Sequence, residues 1–185
     1  MDRQIIFRGK RIGDGKWIEG YLVERLPPKH CVTPKDYEPE PSEWYIVETG
    51  FADWDMPRPL NITKVDGNTV GQFTGLVDRN GTKIFEGDLL ERKYRSMNIR
   101  GQMSDHCDRE VVSFGRCELT IDDIDLVTYC WMLGNEPLED DDLALCTSEP
   151  LWWLASGSLQ YTVCGNIHDN PDLVDENLLT KDKLK

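Results

Sequence analysis

The amino-acid sequence predicts a mainly β protein with minor α content: a small twisted sheet or barrel built from hairpins, with a short C-terminal helix. Three observations predict it. Glycines recur between short apolar and β-branched runs in TVGQFTGLVDRNGTKIFEGD, residues 69–88. Aromatic and β-branched residues flank a glycine-rich turn near the N-terminus, and further short runs of the same kind follow after residue 109. Such residues suit a pleated, half-buried surface, and glycine supplies the turn conformations between strands.

From the N-terminus, Ile5, Ile6 and Phe7 lie before Gly13-Asp14-Gly15-Lys16, and Trp17, Ile18, Tyr21, Leu22 and Val23 lie after it, which reads as a hairpin. Pro27, Pro28, Pro34, Pro39 and Pro41 then remove backbone donors, so residues 27–42 read as an irregular excursion. Trp44 to Val47 resumes strand character. Residues 50–60, with Pro57 and Pro59, read as another loop. In the central stretch, Asn80-Gly81 marks a hairpin, because both residues tolerate the positive φ of a tight primed turn.

The turn Glu86-Gly87-Asp88 leads into a strand from Leu89 to Tyr94, glycine permitting the bend and aspartate bonding backbone beyond it. Residues 96–108 are polar and read as a mobile segment. Strands are expected at 110–120, 126–133, 151–154 and 159–167. Asn170, Pro171 and Asp172 then suit the cap and first turn of a short helix. A single domain over 1–185 is expected, divided into an N-terminal hairpin (1–26), a proline-rich excursion (27–60), a β core (61–170) and a helix with tail (171–185).

A chain of 185 residues is long enough to bury a core without staples. No apolar run approaches the roughly 18–20 residues of a membrane-spanning helix, and the N-terminal stretch lacks the pattern of a secretory signal. A cytoplasmic location is therefore expected, with the six cysteines reduced; their spacing is irregular and contains no CxxC. The net charge of −13 is unevenly spread. Residues 1–35 hold eight Lys/Arg against four Asp/Glu, whereas residues 118–185 hold three against fifteen. On average such a chain repels nucleic acid, and only the N-terminal stretch offers a basic patch.

Three blocks carry a family likeness: IIFRGKRIGDGKWIEGYLV, VGQFTGLVDRNGTKIFEGDLL and YTVCGNIHDNPDLV. Together, in this order, they resemble the YopX family of phage and prophage proteins. The matching residues are Gly71, Gln72, Thr74, Gly75, Leu76, Asp78, Asn80, Gly81, Ile84, Glu86, Gly87 and Asp88 in the middle block. In the last block they are Gly165, Asn166, Ile167, Asn170, Pro171 and Leu173. The resemblance implies a phage-associated, cytoplasmic, β-containing oligomer and no reaction. The signature residues are of types that make turns and bond nearby backbone, so an architectural role is expected for them.

The remaining constellations are thin. His30-Cys31, His106-Cys107 and His168 carry zinc-ligand chemistry, but adjacent residues point apart in a strand, and neither a metal nor a cofactor is expected. The same residues lack the spacing of a Cys–His nucleophile pair. No phosphate-binding, dinucleotide, serine-hydrolase or zinc-protease motif is present. Trp152 and Trp153 are candidate interface anchors, and Glu139, Asp140, Asp141 and Asp142 a candidate acidic contact surface. The reading that follows is a non-enzymatic accessory protein acting through contacts with itself or with a host or phage protein. The alternatives are an acidic inhibitor of a host defence or nucleic-acid enzyme, and a nucleic-acid or small-ligand binding barrel.

Overall fold

The computed structural model describes residues 4–27, 41–49, 60–97, 101–121, 124–133, 149–150 and 161–174. These form β1 (Phe7–Lys10), β2 (Trp17–Arg25), β3 (Glu43–Thr49), β4 (Leu60–Val65), β5 (Gly71–Val77), β6 (Lys83–Phe85), β7 (Asp88–Met97), β8 (Met103–Ile121), β9 (Ile124–Leu133), β10 (Glu149–Pro150) and β11 (Tyr161–Asn166). All the pairings recorded between them are antiparallel. The chain divides into two compact units, Met1–Phe73 and Thr74–Lys185, and the division falls within β5.

In the first unit the strand order is β4-β3-β2-β1-β5. The expected N-terminal hairpin is present, with Phe7 opposite Gly20 and Lys10 opposite Trp17. Its turn is closed by Arg11 N–H to the Lys16 carbonyl at 2.9 Å, and Gly15 takes φ 67° there. Alternation along the strands sends Ile18, Ile46 and Val65 into a core shared with Phe7, Leu22, Trp44 and Val70. β4 occupies part of what reads from sequence as the end of a loop. The sheet curls until Arg11 bridges Val65, but a single bridge is not a ladder.

In the second unit β5 and β6 form the expected central hairpin, and a five-stranded sheet follows in the order β10-β9-β8-β7-β11. β8 is 19 residues long because it serves two partners: Met103–Val111 pairs with β7, and Val112–Ile121 with β9. The core gathers Ile84, Leu90, Val112, Leu133 and Tyr161, with Leu76, Trp131 and Val163 packed against it.

Four expectations are corrected. Among the described residues both sheets stay open, so the sheet alternative holds and the barrel does not. The polar stretch 96–108 is strand over 96–97 and 103–108, rather than a mobile segment. Ion pairs across the ribbon replace the missing apolar contacts: Arg92–Asp108 at 3.2 Å, Arg95–Asp105 at 2.6 Å and Arg109–Glu91 at 3.0 Å. Where a C-terminal helix is expected, the described residues hold a 3-10 turn, Pro171–Leu173, and Asn170 makes no side-chain cap for it. The central turn is longer than a two-residue Asn-Gly turn. Asp78 N–H bonds the Thr82 carbonyl at 2.8 Å and Gly81 N–H bonds the Asp78 carbonyl at 3.0 Å, with Gly81 at φ 83°. This is a three-residue hairpin loop with a glycine bulge.

Candidate interaction surfaces

The family-signature residues gather into two knots within the second unit, apart from Gly71 and Gln72, which pair with β1 in the first. Thr74 donates its hydroxyl to the Ile84 carbonyl at 2.9 Å, fastening β5 to β6, and Gly75 bends β5 at φ 89°. Asp78 is the centre of the first knot. Its Oδ1 accepts from the N–H groups of Asn80 and Thr82, both at 2.8 Å, and its Oδ2 accepts from Val163 N–H at 3.1 Å. The central hairpin is thereby held to β11, 85 positions away in sequence. Burial works to raise the Asp78 pKa, but the Thr82, Val163 and Asn80 N–H donors outweigh it and hold the carboxyl below its ordinary value.

The second knot forms where Glu86, Gly87 and Asp88 turn into β7. Asp88 Oδ2 accepts from Phe85 N–H at 2.8 Å, and half-buried Glu86 stands beside Gly87. Gly87 takes φ 79°, donates to the Val112 carbonyl and accepts from Ile167 N–H, both at 2.9 Å. Asn166 Oδ1 accepts from His168 and Asp169 N–H at 3.0 and 2.9 Å. Asn170 reaches back to accept from Asn166 N–H at 3.3 Å, so it braces β11 instead of capping a helix, and Pro171 starts the 3-10 turn. That brace lies over Gly165, where a Cβ would come within 2.9 Å of Asn170 Cγ. Only glycine fits. The side chains of Thr74, Asp78, Asp88, Asn166 and Asn170 thus bond backbone in turns and strands.

His106 and Cys107 take opposite faces of β8. His106 Nε2 lies 2.7 Å from Ser96 Oγ, whereas Cys107 stands opposite Lys93, beside Glu91. The Glu91 pKa is lowered to about 2 by hydrogen bonds from Lys93, Cys107 and Arg109. The same carboxylate pushes the Cys107 thiol above its ordinary value, opposite to what a nucleophile requires. Burial raises Cys164 as well. Among the described residues no three His, Cys, Asp or Glu side chains are grouped to hold a metal ion. His30, Cys31, Glu139, Asp140, Asp141, Asp142, Trp152 and Trp153 lie outside the described residues.

A surface that sequence reasoning missed lies on the first unit. An antiparallel sheet with one face on its core ordinarily turns polar residues outward. Here Tyr21 stands opposite Val47, and Val47 opposite Ile62, making an apolar row across three strands on the outer face. Tyr21 is 65% exposed, Ile62 64% and neighbouring Leu60 65%. Val23 adds to the row's flank. A charged cluster bounds it: Glu43 accepts from Lys64 at 2.6 Å, Tyr45 at 2.9 Å and Arg25 at 3.2 Å. Trp17, its ring covered by Arg8 at 4.7 Å and Lys10 at 5.4 Å, lies on the same outer face, towards β1. The signal available in sequence was the alternation in LNITKV, hidden by its position after a proline-containing segment.

No curated protein and no solved structure matches this chain. A family model described as YopX protein matches residues 42–175, a span that holds both knots, β3, β4 and all the described strands of the second unit. The chain belongs to the YopX family.

Proposed function

We propose that this chain is a non-enzymatic phage or prophage accessory protein of the bacterial cytoplasm, working through protein contacts and assembling with copies of itself. The observation that carries the reading is the exposed apolar row Tyr21–Val47–Ile62 on a sheet whose other face already has a core. Contiguous apolar surface rimmed by charge is characteristic of protein-contact sites. The engagement of Asp78 and Asn166 with backbone supports a structural use of the family signature.

The test is co-expression of two differently tagged copies. Each tag is expected to recover the other copy, and Tyr21→Ser with Ile62→Ser to abolish recovery; failure of the native copies to recover each other refutes self-assembly. A second reading, an acidic inhibitor of a host defence or nucleic-acid enzyme, is favoured by the charge of residues 118–185. It requires a salt-sensitive host partner that is lost when Glu139, Asp140, Asp141 and Asp142 are changed to Gln and Asn.

A further inference from the structure

We infer that Asn80–Gly81 is a latent site of spontaneous deamidation, held shut by the hydrogen bonds that Asp78 makes across its loop. The inference goes beyond the proposed self-assembly and does not depend on it. Gly81 takes φ 83°, a left-handed conformation that glycine adopts without strain, so the bulged turn calls for glycine at this position. The same residue makes the pair chemically fragile. A glycine after asparagine has no side chain to hinder attack of its own backbone nitrogen on the asparagine amide. Asn80 and Gly81 are both exposed, so water and hydroxide reach them.

Water and its hydroxide are the only co-reactants. Gly81 N gives its proton to hydroxide and attacks Asn80 Cγ; the Cγ–Nδ2 bond breaks, ammonia leaves and a five-membered imide closes. Water then opens the imide at either carbonyl. Attack at Cγ puts an aspartate at position 80, and attack at the main-chain carbonyl carbon leaves an isoaspartate whose backbone runs through the side chain.

The loop opposes the first step in three ways. Gly81 N–H donates to the Asp78 carbonyl at 3.0 Å, so the nucleophile is tied before it can lose its proton. Asn80 N–H and Thr82 N–H, on either side of it, are both held by Asp78 Oδ1 at 2.8 Å. These bonds fix the torsions that must turn to bring Cγ onto the Gly81 nitrogen. The Asp78 carboxylate is itself buried and, held below its ordinary pKa, charged at neutral pH, so an anion at Gly81 N would form beside an existing negative charge. Its other oxygen is anchored on Val163 N–H at 3.1 Å, so β11 keeps the guard in place. Deamidation therefore waits on local opening of the loop. Either product then puts a second negative charge beside Asp78, at the joint between hairpin and β11.

The test keeps the full chain and a synthetic peptide of residues 74–86 side by side at neutral pH and reads conversion at position 80 by mass spectrometry after digestion. Conversion is expected to be at least roughly tenfold slower in the chain, the factor that the two Asp78 Oδ1 bonds supply against opening. Asp78→Ala is expected to remove most of that protection. Should this variant lose its native far-UV signal, Asp78→Asn, which keeps an oxygen for the loop amides but no charge, is expected to convert at a rate between those of chain and peptide. Leu133→Ala removes buried packing from the same unit and controls for general loosening; it is expected to keep the native rate. Equal rates in the native chain and the peptide overturn the inference, as does a folded Asp78 variant that converts at the native rate. Leu133→Ala converting as fast as the Asp78 variant also overturns it, because the guard would then be the fold at large and not Asp78.

Discussion

Replacing Asp78 by alanine should cost this protein about 3 kcal/mol. The carboxylate is 5% exposed and accepts three backbone N–H groups. Asn80 and Thr82 are exposed loop residues whose amides regain water after truncation, so each loses only about 0.5–1.5 kcal/mol. Val163 is half-buried on β11, and leaving its N–H unbonded costs roughly 1–3 kcal/mol. Urea unfolding followed by tryptophan fluorescence should show a midpoint lowered by roughly 1.5 M, if the slope is near 2 kcal/mol/M. Asp78→Asn retains an oxygen for Asn80 and Thr82 but turns an amide toward Val163, so its loss should be smaller and its amide exchange fastest at Val163. The folded pKa lies below the unfolded one, so the carboxylate's contribution is complete above the ordinary carboxylate range. It is lost as pH falls through the folded value. A loss under 0.5 kcal/mol for Asp78→Ala would refute the claim that this residue fastens hairpin to strand.

Gly165→Ala should destabilise by about 1–3 kcal/mol through its clash with Asn170, and far less in an Asn170→Ala background; a thermal double-mutant cycle reads the coupling. The Glu91 contribution to stability should be full above pH 4.5 and decline toward pH 2, a decline absent in Glu91→Gln when acid unfolding is compared. Since Glu91 holds the Cys107 thiol protonated, Glu91→Gln should speed labelling of Cys107 by a thiol reagent at pH 8, measured by mass spectrometry of the peptide.

What could be read from sequence follows the physics of each segment. The two hairpins around Gly13–Lys16 and Asp78–Thr82 were legible because turn chemistry sits between apolar runs. The signature's architectural character was legible too, since Asp, Asn and Gly act on backbone close by; its joining of Asp78 to Val163 was not, because the central hairpin and β11 belong to different sheets and only the packing of the second unit brings them together. The outer end of the β7–β8 ribbon, past Tyr94 and before Glu110, escaped notice because its partners are charges matched across strands, and a single strand shows only polarity. The outer face escaped for a related reason. Tyr21, Val47 and Ile62 become one row only after three strands are placed in register.

Sedimentation velocity of the native chain over a hundredfold concentration range, at low and high salt, tests most directly that this protein works through contacts with itself. A particle of at least twice the 21.3 kDa chain that persists in high salt is expected, because the row Tyr21–Val47–Ile62 proposed to carry the contact is apolar. A single 21.3 kDa species at every concentration would contradict it.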